Sequence, residues 1–217
     1  MPDRPALRAD ARRNLEKLKA AALEVFQERG LSAPLEDVAQ RAGVSIGTLY
    51  NRFASRQELV DAVVPDLATT KLGQAIRRAQ EQTSPWRRFA VYVEEMCALQ
   101  AADPALNDII ARSYQDSTEL TAICQNSVIV GSQLLVEAQA DGSLRPDLTA
   151  DDLFMVFWLN AHLTRTTSAA APDAWRRQIA LLLDGLRADA ATPLPVGPET
   201  VATALPVMLA GGRSRAR

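Results

Sequence analysis

At 217 residues, 47% hydrophobic and 23% charged, the chain holds enough apolar material for a sizeable core and excludes a disordered composition. A net charge of −2 excludes a protein that is basic throughout, and no run of about 18 apolar residues is present to span a membrane. The charge is uneven: Met1 to Val60 carries ten Lys/Arg and eight Asp/Glu, net +2, and the remainder is net −4, as expected of a weakly basic head on an acidic body.

The charged N-terminal residues include Arg4, Arg8, Arg12, Arg13 and Lys17 and leave no apolar core for a signal peptide, so a cytoplasmic location is expected. Cys97 and Cys124 are then expected as reduced residues of the core.

Apolar spacing is helical almost throughout, which predicts an all-α fold of about nine helices. Leu15, Leu18, Ala22, Val25 and Phe26 form one face of a first helix, and Gly30 is its stop. Pro34 suits the first turn of a second helix with Leu35, Val38 and Ala39 inward. Gly43 makes a tight turn, and Ser45 caps a third helix that carries Thr48. Ser55 and Glu58 open a fourth helix, which Pro65 is expected to kink or to divide. Two short helices around a glycine turn, followed by a third, have the shape of a helix-turn-helix that places one helix in the DNA major groove.

A different body begins near Thr83. Trp86, Phe89, Ala90, Val93, Met96 and Cys97 form a stripe, and Asp103-Pro104 opens a short helix. Leu120 to Ala138 marks a long helix, and Thr149 with Asp152 caps another that is apolar on several faces. Pro172 opens the last, with Trp175, Ile179, Leu182, Leu183 and Leu186 on one side. The expected division is residues 1–58 as the helix-turn-helix domain, 59–190 as a helical body and 191–217 as a Pro/Gly-rich irregular tail, with at most a turn of helix around Thr200 to Leu205.

The segment from Arg12 to Val64 resembles the N-terminal domain of the tetracycline-repressor (TetR) family of transcriptional regulators. It carries F-x-x-x-G at the end of the first helix, A-x-x-A-G-V-S, G-T-L-Y and F-x-x-[KR]-x-x-L at matching spacing. Beyond Pro65 the likeness is of architecture only. The DNA-contacting residues expected are Arg12 and Arg13 beside the first helix, Ser45, Ile46, Gly47, Thr48, Tyr50, Asn51 and Arg52 on the recognition helix, and Arg56 holding a phosphate at the start of the fourth. Ile46, Asn51 and Pro34 depart from the usual family residues and bear on which site is read.

The resemblance implies a homodimer on double-stranded DNA, acting as a repressor that a small-molecule effector releases from a palindromic operator. It also implies pairing of the last two long helices with their copies, with Leu182, Leu183 and Leu186 as the seam. Trp86, Phe89, Tyr92, Met96, Phe154, Phe157, Trp158 and His162 are either core or the lining of an effector pocket, with Gln133, Asn160, His162 and Thr164 as its polar anchors. The alternative is a regulator without an effector, whose body serves only dimerisation or protein docking. No catalytic motif, cofactor site or metal site is expected, since His162 is the one histidine and neither cysteine lies at ligand spacing from it.

Overall fold

The N-terminal apolar stripe folds into α1, Arg4–Arg29, in a computed structural model that describes residues 4–111 and 117–211. The head continues with α2 (Leu35–Ala42), α3 (Ile46–Arg52) and α4 (Arg56–Val63). The body holds α5 (Pro65–Gln80), α6 (Pro85–Ala102), α7 (Pro104–Ile110), α8 (Thr118–Ala140), α9 (Ala150–Thr167) and α10 (Ala174–Leu186), and α11 (Glu199–Gly211) lies in the tail. Beside these eleven α-helices the described residues hold one 3-10 turn, Ala188–Ala190, and no strand, and none of their helices is long and apolar enough to cross a membrane.

Eleven helices replace the nine expected for two local reasons. Pro65 has no N–H to continue the preceding helix, so α4 stops at Val63 and Pro65 begins α5. The tail, expected to be irregular, contains α11 despite an internal Pro206. Its approach is fixed by Arg145, which donates to the Thr192 carbonyl at 2.9 Å while its guanidinium grips Asp147 through two bonds of 2.6 and 2.9 Å. That pairing holds the Asp147 carboxyl below its ordinary range.

Side-chain caps set several other helix starts. Ser84 accepts from Arg87 N, Ser117 from Leu120 N, and Asp103 from both Ala105 N and Leu106 N. Thr149 and Asp152 form a full capping box at α9. At α4, Ser55 caps Glu58 N, and the Glu58 carboxylate reaches back to Ala54 N.

Two cores result. The head core gathers Leu18, Val25, Phe26, Val38, Leu49, Phe53, Leu59 and Val60. The body core gathers Phe89, Val93, Met96, Cys97, Leu135, Phe157, Trp175 and Leu183. The head core does not end at α4: Ala68 of α5, Ala105, Leu106 and Ile109 of α7, and Leu120 of α8 are buried in it.

The short helix α7 also joins the cores through polar bonds. Asp108 is buried and accepts from Leu31 N, just beyond α1, at 2.8 Å. Its other oxygen pairs with Arg165 of α9. Asn107 donates to Thr164 Oγ1 at 2.9 Å, and Gln27 of α1 donates to Asp103 at 2.9 Å. Gly30 explains the fit: its φ is +85°, and a Cβ there would lie 2.7 Å from the Asp108 carboxylate. Replacing Asp108 by Asn keeps the shape but removes the charge that Arg165 faces. Asp108→Asn is expected to lower stability by about 1–3 kcal/mol, since Arg165 is half exposed, and to raise exchange at the Leu31 amide at least roughly tenfold. A variant with unchanged melting and unchanged Leu31 exchange would contradict this joint.

Candidate nucleic-acid interface and apolar cavity

The second and third helices meet through Gly43, which adopts φ +70° and ψ +32°. No side chain competes there: an added Cβ would meet nothing within 4 Å, so the backbone angle alone demands glycine. Val44 N closes the turn on Ala39 O at 3.0 Å. Leu49 is completely buried and fixes α3 against the head core. Ser45 caps α3 by accepting from Thr48 N at 3.1 Å, and its hydroxyl lies 2.9 Å from that of Thr48.

This packing leaves Gly47, Thr48, Tyr50, Asn51 and Arg52 exposed on one helix. They supply hydroxyl, amide, phenol and guanidinium groups, the kinds of side chain that bond base edges and phosphates. Ile46 is half buried and packs on the head core, which limits what it presents outward. Gly47 has no neighbour that requires it, because a Cβ would touch only Ser45 Oγ at an ordinary 3.8 Å. Its absent side chain therefore clears space outside the protein.

Two expected phosphate contacts differ in setting. α1 begins at Arg4, so Arg12 and Arg13 lie within the helix, exposed, and not at its start. Arg56 is turned inward: its Nη1 donates to the Leu31 and Ala33 carbonyls at 3.0 and 2.6 Å, tying α4 to the α1–α2 loop. Loop carbonyls without helical partners attract this guanidinium more than solvent does. On the far surface of α1 and α2, Arg41 bonds Glu28 and Glu24, and its hydrogen bond holds the Glu28 carboxyl below its ordinary range.

In the body, a cavity of about 240 Å³ lies among α5, α6, α8, α9 and α11. Tyr92, Met96, Phe154 and Phe157 line it, together with Leu72 and Ile110. Its polar lining is Ser127, Ser132 and Asp151, residues that periodicity alone did not single out. Tyr92 donates to Ser127 O at 2.8 Å, and its ring lies against α8 because Gly131 leaves room; a Cβ there would come within 2.7 Å of the ring.

The other four aromatic candidates lie elsewhere. Phe89 is fully buried in the body core, and Trp86 sits under the Arg187 guanidinium at 4.8 Å. Trp158 and His162 stack on each other at 4.2 Å on the outer side of α9, where His162 is exposed. The expected polar anchors are also engaged or outward. Asn160 bonds Gln100 at 2.9 Å, Thr164 bonds Asn107, and Gln133 is exposed. Cys124 lines the cavity, whereas burial pushes the Cys97 thiol well up and keeps it protonated.

Two family models match the chain. "Bacterial regulatory proteins, tetR family" covers residues 18–63, and "Transcriptional regulator SbtR-like, C-terminal domain" covers residues 84–188. The chain belongs to the TetR family. The transcriptional repressor KstR2 of Mycolicibacterium smegmatis is 25% identical, over 85% of this chain and 95% of its own length. The transcriptional activator FasR of the same organism is 30% identical, over 69% of this chain and 63% of its own. The fold matches the ketosteroid regulator KstR2 of Mycobacterium tuberculosis at TM-score 0.55, with 22% identity over 81% of this chain and 95% of that one. It matches the stearoyl-CoA complex of the Bacillus subtilis regulator FadR at TM-score 0.53, with 19% identity over 82% and 100%.

This TetR-family chain is thus a DNA-binding transcriptional regulator, and α3 lies within the segment matched by the family's N-terminal model. The three leucines expected at a dimer seam on α10 differ in exposure. Leu183 and Leu186 are buried in the chain's own core and Leu182 is half buried, because that face of α10 packs on α6 and α9. The outward leucines are Leu159 of α9 and Leu181 of α10, 55% and 57% exposed.

Gly47→Ala separates folding from binding. It should raise head stability by up to about 1 kcal/mol, since alanine is the better helix former, and weaken DNA binding roughly tenfold. Melting and DNA titration of one sample check this, and a variant that gains on both counts would refute the clearance argument. Arg56→Ala should cost about 1–3 kcal/mol of stability by leaving two loop carbonyls unpaired. Its DNA affinity should recover on cooling into the fully folded range; persistent loss there would restore a direct phosphate role to Arg56.

Proposed function

We propose that this regulator is a ligand-responsive repressor: a homodimer that holds a palindromic operator and is released by a small molecule bound in the body. The observation that carries the reading is the combination of an exposed polar face on α3 with an apolar cavity whose walls reach α7, the helix bonded to the head. Ile110 ends α7 and lines the cavity, while Asp108, one helical half-turn before it, holds the head. A ligand that fits one setting of α7 better than another shifts the head's position by its differential affinity for the two settings.

Dimerisation is proposed through the outward face of α9 and α10, with Leu159 and Leu181 at its centre. Exposed leucines on adjacent helices are what a two-fold, self-complementary interface needs. Two copies of α3 would then read half-sites about 34–36 Å apart, or a multiple of that. Thr48, Asn51 and Arg52 are the proposed readers of base edges, and Tyr50, Arg12 and Arg13 the proposed backbone contacts. The similarity to the repressor KstR2 supports repression as the sign of regulation.

DNA selected from a random pool by the pure protein should be palindromic. Its affinity should fall with salt at a log–log slope of about −0.9 per phosphate neutralised. The double variant Leu159→Glu and Leu181→Glu should stay helical, sediment as a monomer and lose at least roughly a hundredfold in operator affinity. Selection of non-palindromic DNA, or a monomeric variant that binds as tightly as the parent, would overturn the dimeric reading.

A further inference from the structure

The cavity carries chemical information beyond its existence. At about 240 Å³ it is smaller than the usual range for drug-sized ligands, roughly 300–1,000 Å³. An apolar cavity of about 150 Å³ admits benzene, so in proportion this one takes about ten non-hydrogen atoms. Its depth is apolar and aromatic, with Tyr92 and Phe157 rings 6.1 Å apart. Three features define its polar side. Ser127 and Ser132 of α8 supply hydroxyls, and Asp151, in the first turn of α9, supplies a carboxylate.

Asp151 decides the sign of charge. The free N–H groups at a helix start would by themselves favour an anion. Here the first turn of α9 already carries Asp151 and Asp152, and Asp152 is committed to the capping box with Thr149. Asp151 is half buried at the cavity wall, so an anionic ligand would meet a like charge and a cationic one an opposite charge in partly excluded water. Leu205 of α11 is also part of the wall.

Resting on the reading of this cavity as the effector site, we infer that its ligand class is a compact apolar amine. The apolar body would lie against the touching Tyr92 and Phe157 rings at the cavity wall, and the ammonium would face Asp151. The serine hydroxyls would accept from its remaining N–H groups. Fatty acids and acyl-CoA thioesters carry the charge that Asp151 opposes and exceed the roughly ten non-hydrogen atoms that this volume holds.

The test uses the full-length protein and four probes: phenethylamine, 2-phenylethanol, phenylacetate and stearoyl-CoA, measured by calorimetric titration and thermal shift. Phenethylamine should bind about tenfold or more tighter than phenylacetate. Asp151→Asn should bring the two within about threefold of each other while 2-phenylethanol is unaffected. Ser132→Phe, which fills the cavity from a half-buried position, should weaken the amine and the alcohol alike; if that variant fails to fold, Gly131→Ala does the same by driving the Tyr92 ring inward. Tighter binding of phenylacetate or stearoyl-CoA than of the amine overturns the class and leaves the effector reading intact. So does amine binding that ignores Asp151→Asn, or release of operator DNA by some other small molecule when none of the four binds. Failure of a broad small-molecule library to bind at all removes both.

Discussion

The rest of the structure hangs on one carboxylate. Asp108 is buried between two bodies that have separate apolar cores, and it is bonded to both. Apolar packing alone would let the head slide on the body, because dispersion contacts have little directional preference. A carboxylate that accepts a backbone N–H on one oxygen and a guanidinium on the other permits few relative placements. Asp103 and Asn107 on the same helix add bonds to α1 and α9. A seven-residue helix thereby becomes the shared part of both domains.

That arrangement reframes the boundary between head and body. Division along the chain places the proposed DNA surface in α3 and the cavity in α5 to α11. Division by packing assigns half of α7 to the head core. The helix therefore belongs to both, and its end residue, Ile110, touches the cavity. The proposed response needs no long path: the cavity wall and the head's anchor, Ile110 and Asp108, are neighbours on one helix.

The head was readable in the sequence because its determinants are local. Gly43, Ser45, Leu49 and the Ser55 cap each act within a few residues, and their spacing alone specifies the turn, cap and packing. The body was readable as helices but not as a site. An apolar stripe says that a helix has a buried face; it does not say what covers that face. Leu182, Leu183 and Leu186 therefore read equally well as a seam between subunits or as core, and α6 and α9 decide for core. The inward bonds of Arg56 were equally hidden, since its partners, the Leu31 and Ala33 carbonyls, lie more than twenty residues away. Ser127 and Ser132 of α8 and Asp151 of α9 come to line one cavity only once the two helices are in place.

Leu205 has a consequence for how such a regulator changes over generations. It stands in α11, outside both segments that match the family models, yet it forms part of the cavity wall. Substitutions in that terminal helix alter the chamber without touching the recognition helix, the α7 joint or the outward leucines. On the proposed reading of that cavity as the effector site, the chemical signal can drift while the operator read by α3 stays the same, because the two properties are written in different stretches of chain.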